Sequence, residues 1–185
     1  EDISAGQMFV AALQLARGME AVHKAKIVHG DLRAMNVLVG PRGPSRRCRV
    51  TDFGMSVVKT ATSTARTTGT LGRRDEVTGN YHWEAPEIAQ GGNRAKSDKT
   101  DVFSFGIVLY QIVSGGEVPY DGAIRESVVG HYRNGANDSV FDPGWPEEYR
   151  KLMRDCMRED PMHRPSFAKI IERILSVGVA DDHLE

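Results

Sequence analysis

Cysteine is scarce: Cys48 and Cys156 are the two thiols among 185 residues, too few for a disulfide framework and not spaced as a CxxC metal pair. A reducing compartment is the corresponding expectation, and with it an intracellular, cytoplasmic location. Net charge is equally scarce, since 24 Lys and Arg against 25 Asp and Glu leave −1. So even a balance lacks the positive field that non-specific attachment to nucleic acid or an anionic membrane requires, and neither is expected as a partner. There is no long apolar run. The longest, Phe105 to Val113, is broken by Gly106 and Gln111, far short of the roughly 20 residues that span a bilayer. Direct membrane insertion is therefore not expected. The opening Glu1-Asp2 lacks the basic segment of a signal peptide. What is present, 40% hydrophobic and 26% charged residues, is the composition of a soluble globular chain with enough length to bury one core.

Ser4 with Gln7 three residues on forms a capping-box pattern. Phe9, Ala12, Leu13, Ala16 and Met19 then recur at helical spacing, which predicts an amphipathic helix over roughly residues 5–24. Val37-Leu38-Val39 and Arg49-Val50-Thr51 read as two short strands joined through a turn-rich loop. The arginines at and beside that loop, Arg42, Arg46, Arg47 and Arg49, are read as a solvated hairpin rather than a docking surface. From Asp98 to about Ser114 the apolar density is high on every side, the mark of a helix buried in the middle of a fold. Gly115-Gly116 ends it. Further helices are expected near 124–133, 147–158 and 166–176, the last capped by Ser166. The fold class is mainly α, α+β overall: a helical bundle around a central buried helix with one small β-hairpin. One domain is expected over 1–176, with 177–185 as a C-terminal tail. Residues 59–80 carry many hydroxyls and little apolar pattern, which suggests a long solvent-facing segment.

His29-Gly30-Asp31-Leu32-Arg33-Ala34-Met35-Asn36 is followed, sixteen residues after Asn36, by Asp52-Phe53-Gly54. The order supplies a candidate general base in Asp31, a carboxamide metal ligand in Asn36 and a carboxylate metal ligand in Asp52. Phosphoryl transfer from Mg-ATP to a hydroxyl needs that set, because the chemistry is mostly positioning and charge neutralisation. Each piece alone is weak: Asp-Phe-Gly is a common tripeptide, and His-x-Asp is more often a capped turn. A metal role for His29 itself is disfavoured, since no second histidine or cysteine lies at ligand spacing.

Three further segments appear in a telling order: Ala85-Pro86-Glu87, Asp101-Val102-Phe103-Ser104-Phe105-Gly106, and Asp160-Pro161-Met162-His163-Arg164-Pro165. Together with the first two motifs they make the chain resemble the C-terminal lobe of eukaryotic protein kinases, most like the tyrosine-kinase-like group. The resemblance implies ATP and Mg²⁺ as cofactors and a protein hydroxyl as acceptor. It makes Asp31 the catalytic base, Asn36 and Asp52 the metal ligands, and Arg33 a contact to the transferred phosphate. Leu38 becomes the floor beneath the adenine ring. Asp101 is expected to bond the catalytic-loop amides, His29 to stack on Phe53, and Glu87 to pair with Arg164.

The chain departs from the pattern in three places. Gly30 stands where many kinases carry an arginine that clamps a phosphorylated activation loop, so control of Thr67 or Thr70 by that clamp is not expected. Asn80 stands where serine/threonine kinases usually have threonine and tyrosine kinases proline, while Arg33 resembles one tyrosine-kinase branch. Serine or threonine is the favoured acceptor. No glycine-rich loop or strand lysine precedes the catalytic segment, so the expectation is a lower lobe, with Val37, Leu38 and Phe53 lining an open cleft that the upper lobe or another partner covers. A non-catalytic scaffold of the pseudokinase kind is the alternative reading, and phosphotransfer to a small molecule a third.

Overall fold

Ser4 sets the first helix. Its side chain accepts from the Gln7 amide at 3.3 Å while Gln7 Oε1 accepts from the Ser4 amide at 2.9 Å, so two otherwise orphaned donors are satisfied reciprocally. Helix α1 then runs Ala5–Lys24 and buries Phe9, Ala12, Leu13, Leu15, Ala16 and Met19. This computed structural model describes residues 3–41, 46–58, 80–89, 96–134 and 139–178. Among the described residues five more helices follow: α2 (Pro86–Ala89), α3 (Asp98–Ser114), α4 (Arg125–Arg133), α5 (Glu147–Cys156) and α6 (Phe167–Ser176).

Helix α3 is the axis of the bundle. A second capping box, Ser97 with Thr100, fixes its start. Gly115 closes it in the left-handed conformation at φ +79°, where its amide and that of Gly116 both reach the Gln111 carbonyl. Every side of α3 is covered, from Val102 and Phe103 to Leu109 and Tyr110, as its apolar density on every side predicts. Gly106 is where α5 comes closest, since a Cβ there would lie 2.6 Å from Met157 Cγ and 3.0 Å from Cys156 Cβ. Phe105 meets Phe167 edge-on at 5.2 Å, and Phe103 meets Tyr132 at 5.0 Å, so single aromatic rings tie α3 to α6 and α4. Helices α1 and α6 pack side by side. Burial pushes the Cys156 thiol and the Tyr149 hydroxyl well up from their ordinary values, as expected of inert groups inside this core.

The β structure is slighter, and richer, than one hairpin. Strands β2 (Val37–Val39) and β3 (Cys48–Val50) pair antiparallel with Val37 opposite Val50. A second antiparallel pair, β1 (Ile27–Val28) with β4 (Val57–Val58), brackets the catalytic segment at its two ends. The sequence reading missed this second pair, because two-residue strands leave no alternation to detect. Boundaries shift by a residue or two: β3 starts one residue earlier than expected, and α5 stops at Cys156 rather than near 158. Val37 also differs from expectation. It packs, half-buried, against the helical core, whereas Leu38 and Phe53 are exposed at 61% and 45%.

His82 is buried, with 6% of its surface exposed, and it bonds the Pro119 carbonyl through Nδ1 at 3.1 Å. Burial lowers its pKa below the ordinary imidazole value, outweighing the Pro119 bond and the Asp121 charge, which both raise it. The unfolded chain thus binds this proton at higher pH than the folded one. Stability should fall as pH drops below about 6.5, through the window between the unfolded and folded values. Urea midpoints measured from pH 7.5 to 5 should show a shallower fall for His82→Asn than for the parent; parallel curves would remove His82 as the cause.

Candidate active site

The catalytic segment is held from beneath by one carboxylate. Asp101, in the first turn of α3 and 1% exposed, accepts from the His29 amide at 2.8 Å and the Gly30 amide at 2.9 Å. His23 Nε2, from the end of α1, also lies 2.8 Å from Asp101 Oδ2. The His29 ring is fixed by chemistry as well as packing. Its Nε2 faces the Thr51 carbonyl at 3.0 Å, which can only accept, so Nε2 carries the proton and Nδ1 is left to accept from the Asp31 amide at 3.2 Å. On one face the ring meets Phe53 with centroids 4.9 Å apart. Ser56 Oγ donates to the His29 carbonyl at 3.2 Å.

Asp31, half-buried, sits at the tip of this arrangement. The Asn36 amide nitrogen reaches back five residues to it, donating to the Asp31 carbonyl at 2.7 Å and to its carboxylate at 3.1 Å. A single 3₁₀ turn over Ala34–Asn36 makes the return possible. Arg33 Nε lies 3.6 Å from the same carboxylate oxygen, so the acid is flanked by a cation and an amide. Because the nitrogen end of Asn36 is committed to Asp31, its carbonyl oxygen is the end that remains for a hard cation.

Thr51 joins the two motifs. Its amide donates to the Asn36 main-chain carbonyl at 2.9 Å while its own carbonyl accepts from His29 Nε2. The next residue, Asp52, has φ +60° and turns one carboxylate oxygen onto the Gly54 amide at 3.1 Å. That left-handed backbone marks a position set by tertiary structure rather than local preference. Asp52 is exposed. An exposed carboxylate and a carboxamide oxygen are the hard-oxygen donor types that suit Mg²⁺, which keeps most of its waters and takes one or two protein oxygens beside substrate phosphates. Among the described residues no group of three His, Cys, Asp or Glu is placed to hold a metal ion.

Below the loop lies a small open pocket lined by Asp31, Trp83, Glu84, Ile88, Lys96 and Thr100. Ala85 also lines it, and the Ala85-Pro86-Glu87 segment is pinned by a buried pair. Glu87 receives both Arg164 terminal nitrogens, at 2.7 and 2.8 Å. Sequence reasoning missed Lys96 and the Glu84–Arg125 pair at 2.8 Å, since neither forms part of a motif. Thr67 and Thr70 fall outside the described residues, as do Arg42 and residues 179–185, and the Asn80 side chain is not described. Arg46 and Arg49 are exposed, as a solvated hairpin requires.

A braced His-x-Asp loop, an Asn turned back onto the Asp, and an Ala-Pro-Glu helix tied to a distant arginine together define a kinase-type lobe. The sequence matches the protein tyrosine and serine/threonine kinase family over residues 1–174, and the chain belongs to that family. Among curated proteins it is similar to one from Acanthamoeba polyphaga mimivirus, named "Putative serine/threonine-protein kinase/receptor", at 32% identity over 173 residues. The alignment covers 90% of this chain and 10% of that relative, so the chain spans about a tenth of its length. No helix among the described residues is long and apolar enough to cross a membrane.

Proposed function

We propose that this chain is the C-lobe of a protein kinase, and that the complete protein transfers the γ-phosphoryl group of ATP to a serine or threonine hydroxyl of a protein substrate. The observation that carries the reading is the Asn36 amide bonded to both the carbonyl and the carboxylate of Asp31. It holds a base beside a metal ligand with no slack between them. In this mechanism the Asp31 carboxylate orients the acceptor hydroxyl and takes its proton as the new P–O bond forms and the bond from the γ-phosphorus to the β–γ bridging oxygen breaks, releasing ADP. Arg33 offsets negative charge on the transferring group. Asn36 Oδ1 and the Asp52 carboxylate would hold Mg²⁺, which would supply neutralisation of charge on the nucleotide phosphates. Leu38, exposed on β2, supplies an apolar floor for the adenine ring.

Exposure of Leu38, Phe53 and Met35, the last at 77%, supports a face covered in the complete protein by an upper lobe or another partner. The retained Asp31, Asn36 and Asp52 favour catalysis over a scaffold role. Acceptor choice is tested with the full-length protein, radiolabelled ATP and peptides differing only in Ser, Thr or Tyr at one site. Serine and threonine peptides should be labelled at least about tenfold faster than tyrosine, a 1.4 kcal/mol preference. Preferential tyrosine labelling would overturn the acceptor assignment, and no labelling of any peptide or protein the kinase reading itself.

A further inference from the structure

Gly30 and Lys96 are 66 residues apart in sequence, yet they occupy one space. Gly30 has φ +76°, and a Cβ added to it would lie 3.0 Å from the Met55 carbonyl oxygen and 3.2 Å from Lys96 Cδ. The lysine stem thus passes through the volume that any side chain at position 30 would enter. Its ammonium donates to the Gly30 carbonyl, its one polar partner among the described residues. The base of this lysine is rigid: Ser97 caps α3, its amide bonding Thr100 Oγ1 at 2.9 Å. The other side of the same dipeptide is gripped by Asp101 through the His29 and Gly30 amides. Amides pulled by an anion from α3 and a carbonyl pulled by a cation just before α3 fix the Gly30 peptide at both ends, one residue ahead of Asp31.

We propose that Lys96 is a positioning residue for Asp31, and that Gly30 is the partner that makes room for it. The assignment rests on the kinase reading only for its effect on rate; the positioning itself does not. A half-buried ammonium would ordinarily be placed against a carboxylate. Here it caps a backbone carbonyl at the turn that aims the candidate base, and Lys96 lines the same pocket as Asp31. The lysine thus supplies, from a different element, a cation beside the catalytic loop of a chain that has glycine at position 30.

Two readouts test this on the full-length protein, using Lys96→Met, which keeps the stem, and Lys96→Arg, which keeps the charge. Hydrogen exchange of the peptide covering residues 27–34 should quicken by about tenfold in Lys96→Met, the scale of a lost hydrogen bond to a charged donor. It should stay near the parent rate in Lys96→Arg. Where phosphotransfer is measured, kcat should fall about three- to tenfold in Lys96→Met with KM for ATP unchanged, and recover in Lys96→Arg. Unchanged exchange in Lys96→Met would overturn the proposal, whatever the activity. A parent protein no more active than Asp31→Asn would overturn the kinase reading instead, and exchange would still decide the role of Lys96.

Discussion

Arg164→Met should destabilise the folded chain by about 3–5 kcal/mol, read from urea or thermal unfolding, even though Arg164 touches no reacting group. The size follows from counting donors. Arg164 has five N–H groups, and five acceptors surround it: both Glu87 oxygens and the carbonyls of Arg158, Lys99 and Glu159, at 2.7 to 2.9 Å. The guanidinium also lies over the Phe103 ring, 5.0 Å from its centroid. It is 1% exposed, so water cannot take over for any lost partner. Removing it strands a buried carboxylate and the carbonyls of Arg158 and Glu159 at once, while the Lys99 carbonyl keeps its place in the α3 ladder. Lysine is no substitute, because a point charge with three donors cannot serve a planar fork. Removing the carboxylate as well, in Glu87→Leu with Arg164→Met, should recover only part of the loss. The double variant relieves the stranded charge but leaves the Arg158 and Glu159 carbonyls without the guanidinium. Full recovery would show that the ion pair alone sets the cost. A loss below about 1 kcal/mol in Arg164→Met would mean that the site repacks around the hole.

How much of this was legible in the sequence differs by residue. The long helices could be read because each carries its own signal: Ser4 with Gln7, the apolar density on every side after Asp98, Gly115 at its end, Ser166 before α6. The Asp101 bracing and the Glu87–Arg164 pair were reached through resemblance; no periodicity links positions 77 residues apart. The β1–β4 pairing was invisible because its two-residue strands form through tertiary contact alone. Lys96 was missed for a related reason. Its partner is a main-chain carbonyl, and only the space above a glycine with positive φ shows that the two belong together. Val37 was misplaced because it was put on the same face as Leu38, whereas neighbouring strand residues point to opposite faces, and here Val37 turns to the helical core.

Asp31→Asn in the full-length protein should lower phosphotransfer by about 10²–10⁴, the usual contribution of a positioned acid–base group, while the folding midpoint barely moves. The two effects separate because of where the carboxylate sits. Asp31 is half-buried, and its nearest cation, Arg33 Nε, is 3.6 Å away, too long for a tight pair. An amide in its place keeps the volume and can still present an oxygen to Asn36 Nδ2, so little stability is lost. What disappears is the capacity to accept a proton. Asp101→Asn makes the instructive contrast. There the carboxylate is buried and both oxygens hold main-chain amides, so an amide group must turn one N–H toward a donor that already has a hydrogen. That variant should lose stability by roughly 1–3 kcal/mol and activity with it, because the loop it braces carries Asp31. Activity lost without stability at Asp31, and both lost together at Asp101, would separate the group that reacts from the group that holds it. If Asp31→Asn retained the parent rate, the proton would be leaving by another route and the base would have to be sought elsewhere.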